Sequence, residues 1–123
     1  MARVLIVEDD VEAADALSEL LQLSGHSTAV AYDPKAALTL ARKRLPHVAL
    51  VDMDLPVMDG IALARVLRKI PGGRTIRLVA VTGHGSSQHR AAATKAGFEA
   101  YFVKPIEPGE ILEVVSRPKR PVT

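Results

Sequence analysis

A chain of 123 residues, 48% of them apolar, has material for one domain of ordinary size, and with 3% aromatics its core must be built from Ala, Val, Leu and Ile. The absence of cysteine excludes a disulfide framework, a thiolate metal site and a thiol nucleophile. The formal charge of +2 reports the tail: Arg117, Lys119 and Arg120 fall in the last seven residues, which carry no acid, and the remaining body of −1 argues against the basic face of a nucleic-acid reader.

The first strand, Arg3 to Val7, is a β-branched apolar run that stops at Glu8-Asp9-Asp10. Three successive acids repel one another, and a fold has no structural need for them there. Ala14, Leu17, Leu20 and Leu21 then recur at helical spacing within Val11 to Leu23, with Asp10 as N-cap and Gly25 as stop. Thr28 to Ala31 is a short second strand. Asp33-Pro34 opens a second helix marked by Ala37, Leu38, Ala41 and Leu45, and Pro46 closes it. Arg42, Lys43 and Arg44 crowd its last turn, where cations oppose the negative end of the helix dipole.

Val48 to Asp52 is a continuous apolar run ending in an acid, the pattern of a strand buried on both faces. After the loop 54–60, Ile61, Ala64, Leu67 and Ile70 mark a third helix, ended by Pro71-Gly72-Gly73. Arg77 to Thr82 is the fourth strand. Gly83-His84-Gly85-Ser86-Ser87 reads as a flexible loop with a serine cap, and an alanine-rich helix follows from Gln88 to Ala96, closed by Gly97. Ala100 to Val103 is the fifth strand, ending at Lys104-Pro105, and a last helix spans Pro108 to Ser116. The expected division is a domain over 1–116 and a basic flexible tail over 117–123.

Five strands alternating with five helices argue for a parallel sheet covered on both faces. In such sheets chemistry collects outside the carboxyl ends of the strands. Those ends carry Glu8-Asp9-Asp10, Asp52, Thr82 and Lys104. Clustered carboxylates require a counter-charge, and a hard divalent cation supplies it, so Glu8, Asp9 and Asp52 read as a magnesium site. A carboxylate is also a nucleophile in phosphoryl transfer. The phosphoryl oxygens then need Lys104, the Thr82 hydroxyl and the Gly83 N–H as well as the metal.

Val7-Glu8-Asp9-Asp10, Asp52 with Pro56 and Gly60, Thr82-Gly83 and Lys104-Pro105, taken together, resemble the response-regulator receiver domain of two-component signalling, over residues 2 to 116. The resemblance implies a flavodoxin-like (βα)5 fold, a doubly wound α/β sheet of five parallel strands in the order 2-1-3-4-5. It makes Asp52 the phosphoacceptor, charged from the phosphohistidine of a histidine kinase or a histidine phosphotransfer protein. It makes Glu8 and Asp9, with Asp52 and the backbone carbonyl of Met53, the holders of Mg²⁺ or Mn²⁺, and leaves Asp10 as helix cap. Thr82, with Gly83, resembles the switch hydroxyl site, Lys104 the phosphoryl-pairing lysine, and Tyr101 the aromatic switch. The Lys104–Pro105 bond is the candidate cis peptide. Asp54 and His84 stand at the positions that tune phosphate lifetime, where either side chain can orient water.

Output is expected through the face made by the fourth helix, fifth strand and fifth helix, onto a protein partner or a second copy. Direct nucleic-acid binding is not expected: Glu99-Ala100 lacks the paired acids of dimerising DNA-binding regulators, and no output domain follows. A stand-alone receiver and one appended to a hybrid histidine kinase both fit. No apolar stretch reaches the length of a membrane span and no signal-peptide pattern opens the chain, so the expected location is the cytoplasm. The domain is read as a switch and not as an enzyme. Two rivals remain: a phosphorylation-independent docking module, and a phosphohydrolase suggested by Asp52-Met53-Asp54. The latter resembles the D-x-D of haloacid-dehalogenase-type phosphatases, but with Pro56 out of place and no cap domain. His26, His47 and His89 have no metal-site spacing and are read as surface or loop residues, and Met53 and Met58 are assigned to packing.

Overall fold

The computed structural model describes residues 1–55, 58–83 and 87–117. Its elements are β1 (Arg3–Val7), α1 (Val11–Leu23), β2 (Ser27–Ala31), α2 (Pro34–Lys43), β3 (Val48–Asp52), α3 (Gly60–Lys69), β4 (Arg77–Thr82), α4 (Ser87–Lys95), β5 (Phe98–Val103) and α5 (Pro108–Ser116). The five strands are parallel and run in the order β2-β1-β3-β4-β5. This is the flavodoxin-like order expected. No helix among the described residues is long and apolar enough to cross a membrane.

The period-two pleat explains the continuous apolar runs. Leu5, Val7, Ala49, Val51, Leu78 and Ala80 face α2, α3 and α4, meeting Ala37, Ala41, Leu63, Ala64 and Leu67. Val4, Ile6, Val48, Leu50, Val79 and Val81 face the other way, onto Ala14 and Leu21 of α1 and Ile111, Val114 and Val115 of α5. A strand covered on both faces tolerates no polar position until it leaves the core. The same alternation sends Glu8 and Asp52 toward the α1/α5 side and Thr82 toward the α3/α4 side.

Helix starts follow their caps. The side chains of Asp10 and Asp33 accept the N–H groups of Ala13 and Ala36 at 3.2 and 2.7 Å. Asp59 caps α3 in the same way, accepting from Ala62 at 2.8 Å, so the helix begins before its first apolar residue. The fifth strand begins two residues earlier than the alternation suggests. Glu99 is left over in the register between Phe98↔Leu78 and Ala100↔Val79, and this irregularity hides the strand's start. The serine-cap segment 84–86 and residues 118–123 of the tail lie outside the described residues.

Two sequence expectations are corrected at the opposite end of the sheet. Arg117, assigned to the loose tail, is tied down: its carbonyl accepts from Arg77 at 2.8 Å and its side chain pairs with Glu113 at 2.9 Å. His26, read as a surface or loop residue, lies in the loop between α1 and β2 but is only 8% exposed. Its Nδ1 accepts the Ala2 N–H at 3.0 Å and its Nε2 lies 3.3 Å from Ser116 Oγ, so the ring ties the chain start to α1 and α5. Exposed His47 does the same for the next amide, accepting from Arg3 at 2.8 Å.

Because Nδ1 must stay an acceptor, the folded state favours neutral His26, and burial with the nearby N-terminal charge lowers its pKa. The unfolded chain then binds more protons below the ordinary histidine pKa, about 6.5. Folding stability is therefore expected to be whole above that value and to fall as pH drops below it. His26→Gln should flatten this slope in urea melts at pH 7 and pH 5.5; an equal slope would remove His26 from the account.

Candidate functional site

The ladder continues one residue beyond the strand ends that matter. The Glu8 N–H donates to Ala31 at 3.0 Å, the Met53 N–H to Val81 at 2.9 Å, and the Lys104 N–H to Thr82 at 2.7 Å. These bonds hold the backbone at the sheet edge, so the side chains there sit on rigid supports.

Glu8 and Asp52 are 7% and 4% exposed, whereas Asp9 lies open to solvent. One carboxylate oxygen from each of the three lies within 4.8 Å of the others. Lys104 provides the cation: its Nζ is 2.5 Å from Glu8 Oε1 and 3.6 Å from Asp52 Oδ2. Burial lowers the lysine's pKa, but the bond to Glu8 and the negative charge of Asp52 and Glu8 outweigh it, and the net shift is upward. The ammonium is thus held charged. One ammonium beside three carboxylates leaves the cluster negative. An all-oxygen donor set of this kind fits a hard divalent cation such as Mg²⁺ or Mn²⁺.

Asp52 Oδ1 accepts the Asp54 N–H at 2.9 Å, which fixes the turn that follows β3. The Asp54 carboxylate then reaches the next strand. Its Oδ2 accepts from Thr82 Oγ1 at 3.0 Å and from the Gly83 N–H at 3.2 Å. Thr82 is 1% exposed and Asp54 is exposed. Sequence reading set Asp54 apart as a lifetime residue acting on water and did not see this pairing, because nothing local links residues 28 positions apart.

The Met53 carbonyl points to the α3 start, accepting the Gly60 N–H at 3.4 Å. Gly60 suits this close approach, since an added Cβ would lie 2.5 Å from Met53 Sδ and 3.0 Å from its Cα and Met53 would have to shift. Met53 and Met58 pack against the apolar layer, as does half-buried Tyr101, whose ring lies 4.8 Å below the Arg90 guanidinium. The Lys104–Pro105 peptide is cis. A cavity of about 210 Å³ beneath the acids is lined by Ile6, Leu17, Val81, Pro105 and Ile106 and by Glu8, Asp52 and Lys104. Pro56 and His84, both singled out in the sequence, lie outside the described residues.

Residues 4–116 match the family described as "Response regulator receiver domain". The uncharacterized 14.6 kDa protein in the sodA1 3′ region of Leptolyngbya boryana is 34% identical over 93% of this chain and 87% of that one. The DNA-binding response regulator MtrA of Mycobacterium tuberculosis H37Rv is 34% identical over 89% of this chain, which spans only 47% of that protein. In three dimensions the CheY-like receiver domain protein of Methanospirillum hungatei superposes with a TM-score of 0.84 at 30% identity, covering 94% of this chain and 90% of the other.

Proposed function

The chain belongs to the response regulator receiver domain family, and on that premise we propose that it is a phosphoacceptor switch of two-component signalling whose acceptor is Asp52. The observation that supports this assignment most is the company of that carboxylate. It is 4% exposed, stands beside the Lys104 ammonium at 3.6 Å, and faces two further acids with ligand atoms within 4.8 Å.

In the proposed step an Asp52 oxygen attacks the phosphorus of a phosphohistidine on a histidine kinase or phosphotransfer protein. An O–P bond forms as the P–N bond breaks, and the leaving imidazole takes a proton from solvent. The product is an acyl phosphate on Asp52, and hydrolysis later returns the carboxylate and inorganic phosphate. Glu8, Asp9 and Asp52 would hold Mg²⁺ or Mn²⁺, which when bound supplies Lewis-acid charge to the phosphoryl oxygens; the Met53 carbonyl, also implied by the resemblance, is engaged by the Gly60 N–H. Lys104 neutralises the same oxygens, and the Thr82 hydroxyl and Gly83 N–H donate to them. The domain catalyses no other turnover.

Phosphorylation adds about −1.5 to −2 charge by analogy with other phosphoresidues. Lys104 and Thr82 are drawn toward it, and Tyr101 fills the space that Thr82 leaves. The α4–β5–α5 face changes and selects a protein partner or a second copy. DNA binding, named for MtrA, belongs in this reading to parts of that protein which the chain does not match.

The test is incubation with a small phosphodonor and Mg²⁺, read by intact mass. Wild type should gain one phosphoryl group and Asp52→Asn none. An unchanged adduct on the variant, or none on wild type, overturns the assignment. Turnover of a generic phosphate ester would favour the hydrolase rival instead.

A further inference from the structure

We infer that Asp54 is an internal competitor for the phosphoryl site, occupying with its own carboxylate the donors that the phosphoryl group on Asp52 must recruit. The inference rests on the reading of Asp52 as acceptor. Every donor assigned to the phosphoryl group is engaged by a carboxylate of the chain itself. Lys104 Nζ is taken by Glu8 at 2.5 Å. Thr82 Oγ1 and the Gly83 N–H are both taken by a single oxygen, Asp54 Oδ2, at 3.0 and 3.2 Å.

Two donors converging on one anionic oxygen is the arrangement expected around a phosphoryl oxygen. Asp54 is tethered to supply that oxygen. It stands two residues beyond Asp52, and its N–H is fixed on Asp52 Oδ1 at 2.9 Å, so its carboxylate is always at hand. Covalent attachment of phosphate to Asp52 would bring a second anion to the same two donors. Both cannot hold them, and the like charges repel. Since Asp54 is exposed, it can yield by turning into water without burying a charge.

The consequence is a brake on the switched state. The apparent occupancy of the phosphorylated, donor-engaged form falls by the fraction of time that Asp54 holds Thr82 and Gly83. This fixes a sign that the residue's position alone leaves open. Water orientation would make Asp54 act after phosphorylation, whereas donor competition acts before it as well.

The experiment compares wild type, Asp54→Asn and Asp54→Ala. In the unphosphorylated proteins, the Gly83 amide proton should move upfield in the alanine variant, which has no acceptor. It should stay near its place in the asparagine variant, which keeps an amide oxygen. With a fixed concentration of small phosphodonor and Mg²⁺, the ratio of phosphorylated to unphosphorylated protein should rise about tenfold in Asp54→Ala. It should rise less in Asp54→Asn. An unmoved Gly83 signal, or a ratio in Asp54→Ala that is unchanged or lower, overturns the brake. Equal rises in the two variants also overturn it, because charge alone would then be responsible. Failure of wild type and variants alike to take up a phosphoryl group overturns the acceptor reading and the brake with it. Normal uptake beside an unmoved Gly83 signal overturns the brake alone.

Discussion

Lys104→Ala is expected to bind Mg²⁺ about tenfold more tightly than wild type while accumulating the phosphorylated form about a hundredfold more slowly. The two effects have opposite signs because one ammonium serves two states. In the resting chain Lys104 lies 2.5 Å from Glu8 and 3.6 Å from Asp52, and a divalent ion bound there competes with it for the same two negative charges. Without the lysine, two carboxylates less than 10% exposed have no cation among the described residues within bonding distance, and their demand for an ion rises. The lysine is 35% exposed, so solvent screening keeps the gain near one decade and not several. Charge developing on the transferring phosphoryl group, by contrast, loses its nearest fixed cation. Calorimetric titration with Mg²⁺ and a time course of intact mass separate the two. Loss of Mg²⁺ binding with phosphorylation intact would reverse the roles assigned to Lys104.

Arg77→Met should cost about 3 kcal/mol of folding stability with little change at the phosphoryl site. Arg77 is 9% exposed at the opposite end of β4 from Thr82. Its guanidinium donates to both oxygens of Glu99, at 2.9 and 3.0 Å. It also donates to the carbonyls of Val114, Val115 and Arg117, the last at 2.8 Å. Those carbonyls close α5, where helical partners have run out, so the arginine acts as a buried C-terminal cap. Methionine keeps the apolar stem and removes every donor. Glu99 is 37% exposed and can hydrate when abandoned, so Glu99→Gln should cost no more than about 1 kcal/mol. Urea denaturation reads both. A midpoint for Arg77→Met equal to wild type would show that α5 ends without this support.

Which group bonds to which was not legible in the sequence, and for one reason. Lys104 and Glu8 are 96 residues apart, Arg77 and Val114 37 apart, Asp54 and Thr82 28 apart. Charges at such separations meet only because the strand order sets their elements side by side. Arg77 read as the polar start of an apolar run, and Glu99 as one acid before Tyr101. His26 read as a loop residue because one histidine carries no periodicity. Its burial follows from Ala2 and Ser116, which reach it from the two ends of the chain. Asp59 escaped notice as a cap because Gly60 separates it from the first apolar position of α3.

By itself the sequence determined β1, β3 and β4, whose short continuous apolar runs bounded by turn signals suit strands covered on both faces. It determined the helix starts at Asp10 and Asp33, because a side-chain acceptor before the first turn is a local device. It also determined the inventory at the strand ends, where Glu8, Asp9, Asp52, Thr82 and Lys104 interrupt apolar runs with no local reason to do so. What only the tertiary structure decided is who holds whom. The β2-β1-β3-β4-β5 order brings Lys104 to Glu8, and the turn after Asp52 carries Asp54 to Thr82 and Gly83. Local chemistry selects residues that can ionise or donate. Partner choice among them depends on through-space distance, which crossovers between parallel strands create and sequence spacing does not encode.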